Sequence, residues 1–238
     1  MPYLSIVIPA YNEEKKISKD IETVYKYFND NSIDGELIIV DDGSKDGTYK
    51  IVNDFQKKYP TLKVISYKKN VGKGFALKTG ILETKGENIL IADSGLCVPF
   101  DCANIGLELL KSGYEIAIGS RKTLDKKANI IVKQPFYRRI GSMVFQILLQ
   151  FFKLMPPNVR DTQCGFKLFK QGTAYILFKN LFTKKFMWDI EILRVSHKKD
   201  YKIAIFPIEW SNDSDTRFNP FIGSFENLFQ VINIIFRT

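Results

Sequence analysis

Ile89-Leu90-Ile91-Ala92-Asp93-Ser94-Gly95-Leu96-Cys97 is an apolar run that ends in a single acid. Such a run reads as a buried strand delivering one carboxylate to the rim of a sheet. Sites that hold a nucleotide diphosphate through a divalent cation usually place two carboxylates there, one residue apart. A hard cation takes several oxygen ligands and bridges them to the phosphates. Here the second position is Gly95, and two residues further stands Cys97, whose thiol is a poor ligand for Mg²⁺ or Mn²⁺.

Upstream of this run, short apolar segments alternate with amphipathic ones. Strands are predicted at Leu4 to Pro9, Leu37 to Val40 and Leu62 to Ser66, with helices from Glu13 to Phe28, Asp46 to Tyr59 and Gly74 to Thr84. After Ile89 to Ala92 come a helix ending near Lys111 and a fifth strand over Tyr114 to Ile118. This alternation predicts an α/β fold: a Rossmann-like, mostly parallel sheet with helices on both faces, binding its ligand at the carboxyl ends of the strands.

Beyond Arg121 the texture changes. Lys122 to Lys133 is basic and aperiodic and reads as a loop. Pro135 to Met155 reads as a helix or helix pair, apolar from Met143 onward. Asp161 to Lys170, Phe186 to Lys198 and Tyr201 to Pro207 read as turn and strand, helix, and strand. The expected organisation is one catalytic domain over 1–210, with 136–155 as an interfacial helix, and a C-terminal amphipathic extension over 211–238.

At 238 residues, 45% hydrophobic and 26% charged, the chain needs no staples for its core. The net charge of +9 suits an anionic partner, although charge of this kind also serves solubility. The lysines are scattered and no nucleic-acid motif occurs, so nucleic acid is not an expected partner. Cys97, Cys102 and Cys164 form neither a complete disulfide set nor a zinc spacing, which suits a reducing compartment. No stretch reaches the roughly 18 apolar residues of a membrane span. The expected location is cytoplasmic, peripheral at the cytoplasmic face of a membrane.

Polar residues cluster where the strands end. Pro9-Ala10-Tyr11-Asn12-Glu13-Glu14 closes the first strand, where Asn12 can cap a helix and the acids suit its first turn. Val40-Asp41-Asp42-Gly43-Ser44 places two acids at a strand mouth, more than a turn requires. Such a carboxylate can accept from a base N–H or a ribose hydroxyl. Asn70-Val71-Gly72-Lys73-Gly74 permits close backbone approach and supplies a cation. Gly119-Ser120-Arg121 puts a guanidinium suited to bidentate phosphate binding on the rim that carries Asp93. Arg138 and Arg139 open the apolar helix.

Together with Arg160-Asp161-Thr162-Gln163-Cys164-Gly165-Phe166-Lys167, these motifs stand in the order found in family 2 glycosyltransferases with a GT-A fold. The chain most resembles the dolichyl-phosphate glucosyltransferase and polyprenyl-phosphate mannosyltransferase branch, over roughly Tyr3 to Pro207. By that resemblance Pro9, Tyr11, Glu13 and Asp41, with Asp42 close by, line the base and ribose of a UDP-sugar donor. Asp93 faces the diphosphate and a Mg²⁺ or Mn²⁺ ion, supplemented by Lys73. Arg121 and one of Arg138 or Arg139 hold the acceptor phosphate. The Asp161 to Lys167 run, with Gln163, and the Trp188-Asp189-Ile190-Glu191 segment shape the sugar and acceptor side, although the latter also reads as a plain helix N-terminus.

The implied reaction is an inverting transfer of a hexose, glucose from UDP-glucose, to a polyprenyl or dolichyl phosphate at a membrane surface. Two alternatives stay open: transfer to a glycan hydroxyl with Asp161 or Asp189 as base, and a non-catalytic nucleotide-sugar-binding module. Gly95 and Cys97 depart from the family pattern, as does the lack of flanking spans. A membrane-anchoring partner subunit, or an acceptor that is not a long lipid, accounts for the second departure. The Met143 to Phe152 helix and the Phe221 to Phe236 segment each read either as membrane-interface elements or as core or oligomer contacts.

Overall fold

The computed structural model describes residues 1–121, 154–156, 159, 161–211 and 223–238. In chain order the elements are β1 (Leu4–Ala10), α1 (Ile17–Asp30), β2 (Gly35–Asp41), α2 (Thr48–Gln56), β3 (Leu62–Ser66), α3 (Lys73–Ile81) and β4 (Asn88–Ile91). Then follow α4 (Cys102–Lys111), β5 (Ile116–Ser120), β6 (Lys167–Lys170), α5 (Gln171–Lys179), α6 (Trp188–Lys198), β7 (Ile203–Pro207) and α7 (Gly223–Arg237). The strands form one seven-stranded sheet in the order β3-β2-β1-β4-β6-β5-β7. All pairings are parallel except those of β6, which runs antiparallel to both β4 and β5.

Alternation along the strands splits the core into two layers. Ile6, Ile8, Leu37, Ile39 and Leu90 face one side, where α1, α2 and α4 contribute Ile17, Ile21, Val24, Val52, Ala103 and Leu107. Val7, Ile38, Val40, Ile89 and Ile91 face the other, against Leu77, Phe178, Trp188 and Ile192 of α3, α5 and α6. Because the central strands are buried on both faces, they read as unbroken apolar runs. The C-terminal helix α7 joins the second layer through Val231 and Ile234.

Two boundaries differ from the sequence reading with a clear physical cause. The first helix begins at Ile17 rather than Glu13, because Asn12 adopts φ +54° and the amides of Asn12 and Glu13 bond to the Ser44 and Thr48 hydroxyls. Asn12 therefore ties two loops together instead of capping α1. The fifth strand runs over Ile116–Ser120 rather than 114–118, since Gly113 (φ +103°) and the Tyr114 amide, bonded to the Leu109 carbonyl, still belong to the end of α4. Helix α5 had no counterpart in the sequence reading. The loop at 122–133, Arg138, Arg139 and the apolar helix from Met143 to Phe152 lie outside the described residues.

Candidate active site

The carboxyl ends of β1, β2, β4 and β5 share one rim. Antiparallel β6 brings its first residue there: Lys167 pairs in register with Ile91 on one side and Ile118 on the other. The rim therefore gathers Pro9, Tyr11, Asp41, Asp42, Asp93, Arg121 and Lys167 from five strands, and it divides into two wings.

On the β1–β2–β3 wing Asp41 and Asp42 are held by neutral donors. Asp41, 2% exposed, accepts from the Ser44 amide at 3.0 Å and the Ser66 hydroxyl at 2.8 Å. Asp42 accepts from the Asn70 side-chain amide (2.8 Å) and the backbone N–H groups of Val71 (2.8 Å) and Gly72 (2.9 Å). It thus anchors the Asn70–Gly72 turn. Pro9 stands opposite Val40 at the end of β1, and half-buried Tyr11 follows it. Glu13 lies 3.5 Å from the Lys16 ammonium.

The β4–β6–β5 wing pairs each acid with a cation. Lys73 donates to Asp93 Oδ1 at 2.5 Å. Arg121 forks onto Asp161, Nε to Oδ2 at 2.8 Å and Nη2 to Oδ1 at 2.7 Å, and its backbone N–H adds a bond to Oδ2 at 3.0 Å. Lys167, 1% exposed, donates to Asp189 Oδ1 at 2.6 Å and to the Cys164 carbonyl. The Trp188 ring lies beneath two of these cations, 5.0 Å from Lys167 Nζ and 6.0 Å from Lys73 Nζ, and Trp210 lies 5.4 Å from the Arg121 guanidinium carbon. Gln163 is exposed in the turn before β6.

The charges settle one another. Partial burial pushes the Asp93 carboxyl up, but Lys73, with Lys167 and Arg121 behind it, more than offsets this and holds it below the free value. Asp189 goes the other way: its burial outweighs the pull of Lys167 and Lys73. Burial also lifts the Cys164 thiol to about 12. A chain of contacts sets the position of Lys73. Glu191 accepts from the amides of Phe182 (3.0 Å) and Thr183 (2.9 Å). The carbonyls of Lys184 and Lys185 that follow accept from Phe75 and Gly74 in the first turn of α3. The close approach that Gly74 permits is therefore to this segment.

The loop after Asp93 is shaped by a residue the motifs did not point to. Asp20 of α1, 1% exposed, accepts from the Ser94 hydroxyl at 2.5 Å and from the Gly95 amide at 3.1 Å. Gly95 has φ +98° and Leu96 φ +52°, so position 95 sits where a side chain is strained. An added Cβ on Gly165 would stand 2.1 Å from Asp93 Oδ2, so that oxygen lies against the backbone before β6. Asp20, Gly165 and the buried pairing of Lys167 were not singled out from the sequence. The signals were an acid on the apolar stripe of α1 and a lysine opening an apolar strand.

Among the described residues this is a poor set for a hard divalent cation. Asp93 offers one carboxylate already bonded to an ammonium, Ser94 is turned to Asp20, Gly95 has no ligand and Cys97 is soft. No group of three His, Cys, Asp or Glu residues placed to hold a metal occurs among the described residues.

The family model described as "Glycosyl transferase family 2" matches residues 5–174. The chain belongs to glycosyl transferase family 2. The chain is 33% identical to the dolichyl-phosphate beta-glucosyltransferase of Dictyostelium discoideum over 99% of its own length and 74% of that protein's. It is likewise 33% identical to the Homo sapiens enzyme of the same name, covering 92% of this chain and 70% of that one. Among solved structures, glucosyl-3-phosphoglycerate synthase from Mycobacterium tuberculosis in complex with UDP superposes with a TM-score of 0.71 at 22% identity, over 98% of this chain and 79% of that one. The same enzyme with Mn²⁺, UDP-glucose and phosphoglyceric acid gives 0.68 at 20%, over 98% and 78%. These likenesses confirm the GT-A type of α/β fold, and the family makes the chain a glycosyltransferase.

Proposed function

We propose that this family 2 transferase moves glucose from UDP-glucose to dolichyl or another polyprenyl phosphate, with inversion, at a membrane surface. The named relatives support the sugar and the acceptor class. The observation that carries a phosphate acceptor is the state of the acids on the β4–β6–β5 wing. A hydroxyl acceptor needs a base to take its proton. The two carboxylates suited to that role are engaged, Asp161 by the Arg121 fork and Asp189 by buried Lys167. A phosphate oxygen is already an anion and needs none.

In the transfer, an acceptor phosphate oxygen forms a bond to the anomeric carbon of glucose from the face opposite UDP. The bond from that carbon to the diphosphate breaks, and its electron pair leaves with UDP. The chain's part is to align the reactants and to meet the charge on the leaving group. Pro9, Tyr11, Glu13 and Asp41 take the base and ribose side. Lys73 and Asp93 face the diphosphate. Arg121, with Arg138 or Arg139, takes the acceptor phosphate, and Gln163 and Asp189 border the sugar.

Membrane contact is supported by α7. Val231 and Ile234 pack inward, while Phe229 (65% exposed), Ile232 and Phe236 (84% exposed) form an apolar stripe on the opposite side. No helix among the described residues is long and apolar enough to cross a membrane. Nothing among the described residues calls for an anchoring subunit.

The test is to incubate the protein with labelled UDP-glucose or GDP-mannose and either a short polyprenyl phosphate or the matching polyprenol. Expected is glucose transfer to the phosphate alone, with a β linkage. Transfer to the polyprenol instead overturns the reading.

A further inference from the structure

We propose that the Lys73 ammonium is the built-in cation of the diphosphate site, taking beside Asp93 the place of a divalent ion, so that this chain binds its donor without added metal. The inference rests on the reading of the chain as a nucleotide-sugar transferase and adds how it manages phosphate charge.

Four observations carry it. Lys73 Nζ sits 2.5 Å from Asp93 Oδ1, and Asp93 Oδ2 lies against Gly165, so both oxygens of the lone motif acid face protein groups. The residues that follow are withdrawn from any ligand role. Ser94 bonds Asp20, and the Gly95 amide bonds the same carboxylate at φ +98°, a conformation that disfavours the aspartate a two-acid motif needs. The ammonium is also placed firmly. Lys73 is the first residue of α3, whose first turn is bonded to the Lys184 and Lys185 carbonyls, and that segment is held in turn by Glu191.

Finally, the pair stays open to solvent, with 22% of the Lys73 and 42% of the Asp93 side chain exposed, whereas Lys167–Asp189 behind it is sealed at 1% and 7%. Of these two lysine pairs, only the first can exchange a partner for an arriving anion. A point-charge ammonium with three donors can hold Asp93 and a phosphate oxygen together, as a bridging metal does.

The experiment is calorimetric titration of the full chain with UDP, in EDTA and in saturating Mn²⁺, for the native protein, Lys73→Met and Lys73→Arg. The native protein should bind UDP in EDTA within about twofold of its affinity in Mn²⁺. Lys73→Met should bind at least about tenfold more weakly in EDTA, the worth of a lost charged hydrogen bond. It should recover part of the loss with Mn²⁺, since Asp93 Oδ1 is then free. Lys73→Arg, which keeps the charge, should bind without metal and guards against a Met variant that fails to fold. UDP binding by the native protein that requires Mn²⁺, or binding in EDTA that is indifferent to Lys73→Met, overturns the inference. Absence of UDP binding under both conditions instead overturns the donor reading, and this inference falls with it.

Discussion

The two wings of the rim solve the same problem, a carboxylate at a strand end, in opposite ways. Asp41 and Asp42 accept from hydroxyls and amides of the loop after β2 and of the 66–72 segment that ends β3, whereas Asp93, Asp161 and Asp189 each meet a lysine or arginine. Neutral donors preset a loop and leave its negative charge in place, which suits recognition of hydroxyls and base N–H groups. Ion pairs cancel charge, so the β4–β6–β5 wing matches three acids with three cations until an anion arrives. A diphosphate or acceptor phosphate then finds cations that are already positioned and need only a change of partner.

The comparison predicts that the wings differ in what a lost partner does. Lys167→Met leaves Asp189 charged and buried without its cation, which should destabilise the protein by about 3–5 kcal/mol. The double change Lys167→Met with Asp189→Leu should recover most of that loss, because an apolar pair of similar volume has no charge to strand. On the other wing Ser66→Ala removes one neutral donor from Asp41, which keeps the Ser44 amide, and should cost less, about 1.5–3 kcal/mol. Urea unfolding of the variants measures all three. Equal costs on the two wings would erase the distinction.

A smaller change tests whether the position of Asp93, and not only its charge, matters. Gly165→Ala places a methyl carbon 2.1 Å from Asp93 Oδ2, so the carboxylate bonded to Lys73 must shift. Glucose transfer should fall by roughly tenfold or more, as displacement of an aligned group does, while UDP binding, still held by Lys73 and the Asp41 side, should weaken less. Steady-state kinetics beside UDP titration separates the two effects. A fall in UDP binding with transfer per bound donor intact would show that Asp93 serves binding alone.

What was legible in the sequence follows the same divide. Strands β1, β2 and β4 announced themselves because burial on both faces leaves them near-continuous apolar runs, and the acids at the ends of β2 and β4, Asp41 and Asp93, stood out as punctuation. The antiparallel course of β6 was not visible, since a four-residue strand carries no direction in its composition. Yet that reversal is what brings Lys167 to the rim. The partners of the cationic wing stand 20 residues apart in Lys73–Asp93, 22 in Lys167–Asp189 and 40 in Arg121–Asp161, beyond the reach of local periodicity. Motif order did collect Asp93, Arg121, Asp161 and Asp189 as site residues. Only the fold brings Arg121 and Asp161 together, which changes each from a free group into half of a pair.

Asp20 gives the smallest and most specific test, because its titration has the opposite sign to that of Asp93. Burial holds the Asp20 carboxyl above the free value of 3.8, against the lowering effect of Ser94, the Gly95 and Leu96 amides and Lys16. The folded protein therefore binds this proton more tightly than the unfolded chain, and the contribution weakens as pH rises through the window just above 3.8. Asp93 is held below 3.8, so its contribution is present above that pH and is lost as pH falls through the folded value. Relative to the native protein, Asp20→Asn should gain stability as pH climbs through that window, whereas Asp93→Asn should flatten the loss on the acid side. Urea midpoints measured across an acid-to-neutral pH series read both slopes. If Asp20→Asn shifts the midpoint by the same amount at every pH, the carboxylate beneath Ser94 and Gly95 acts through its shape alone, and the two wings share a single electrostatic character at that loop.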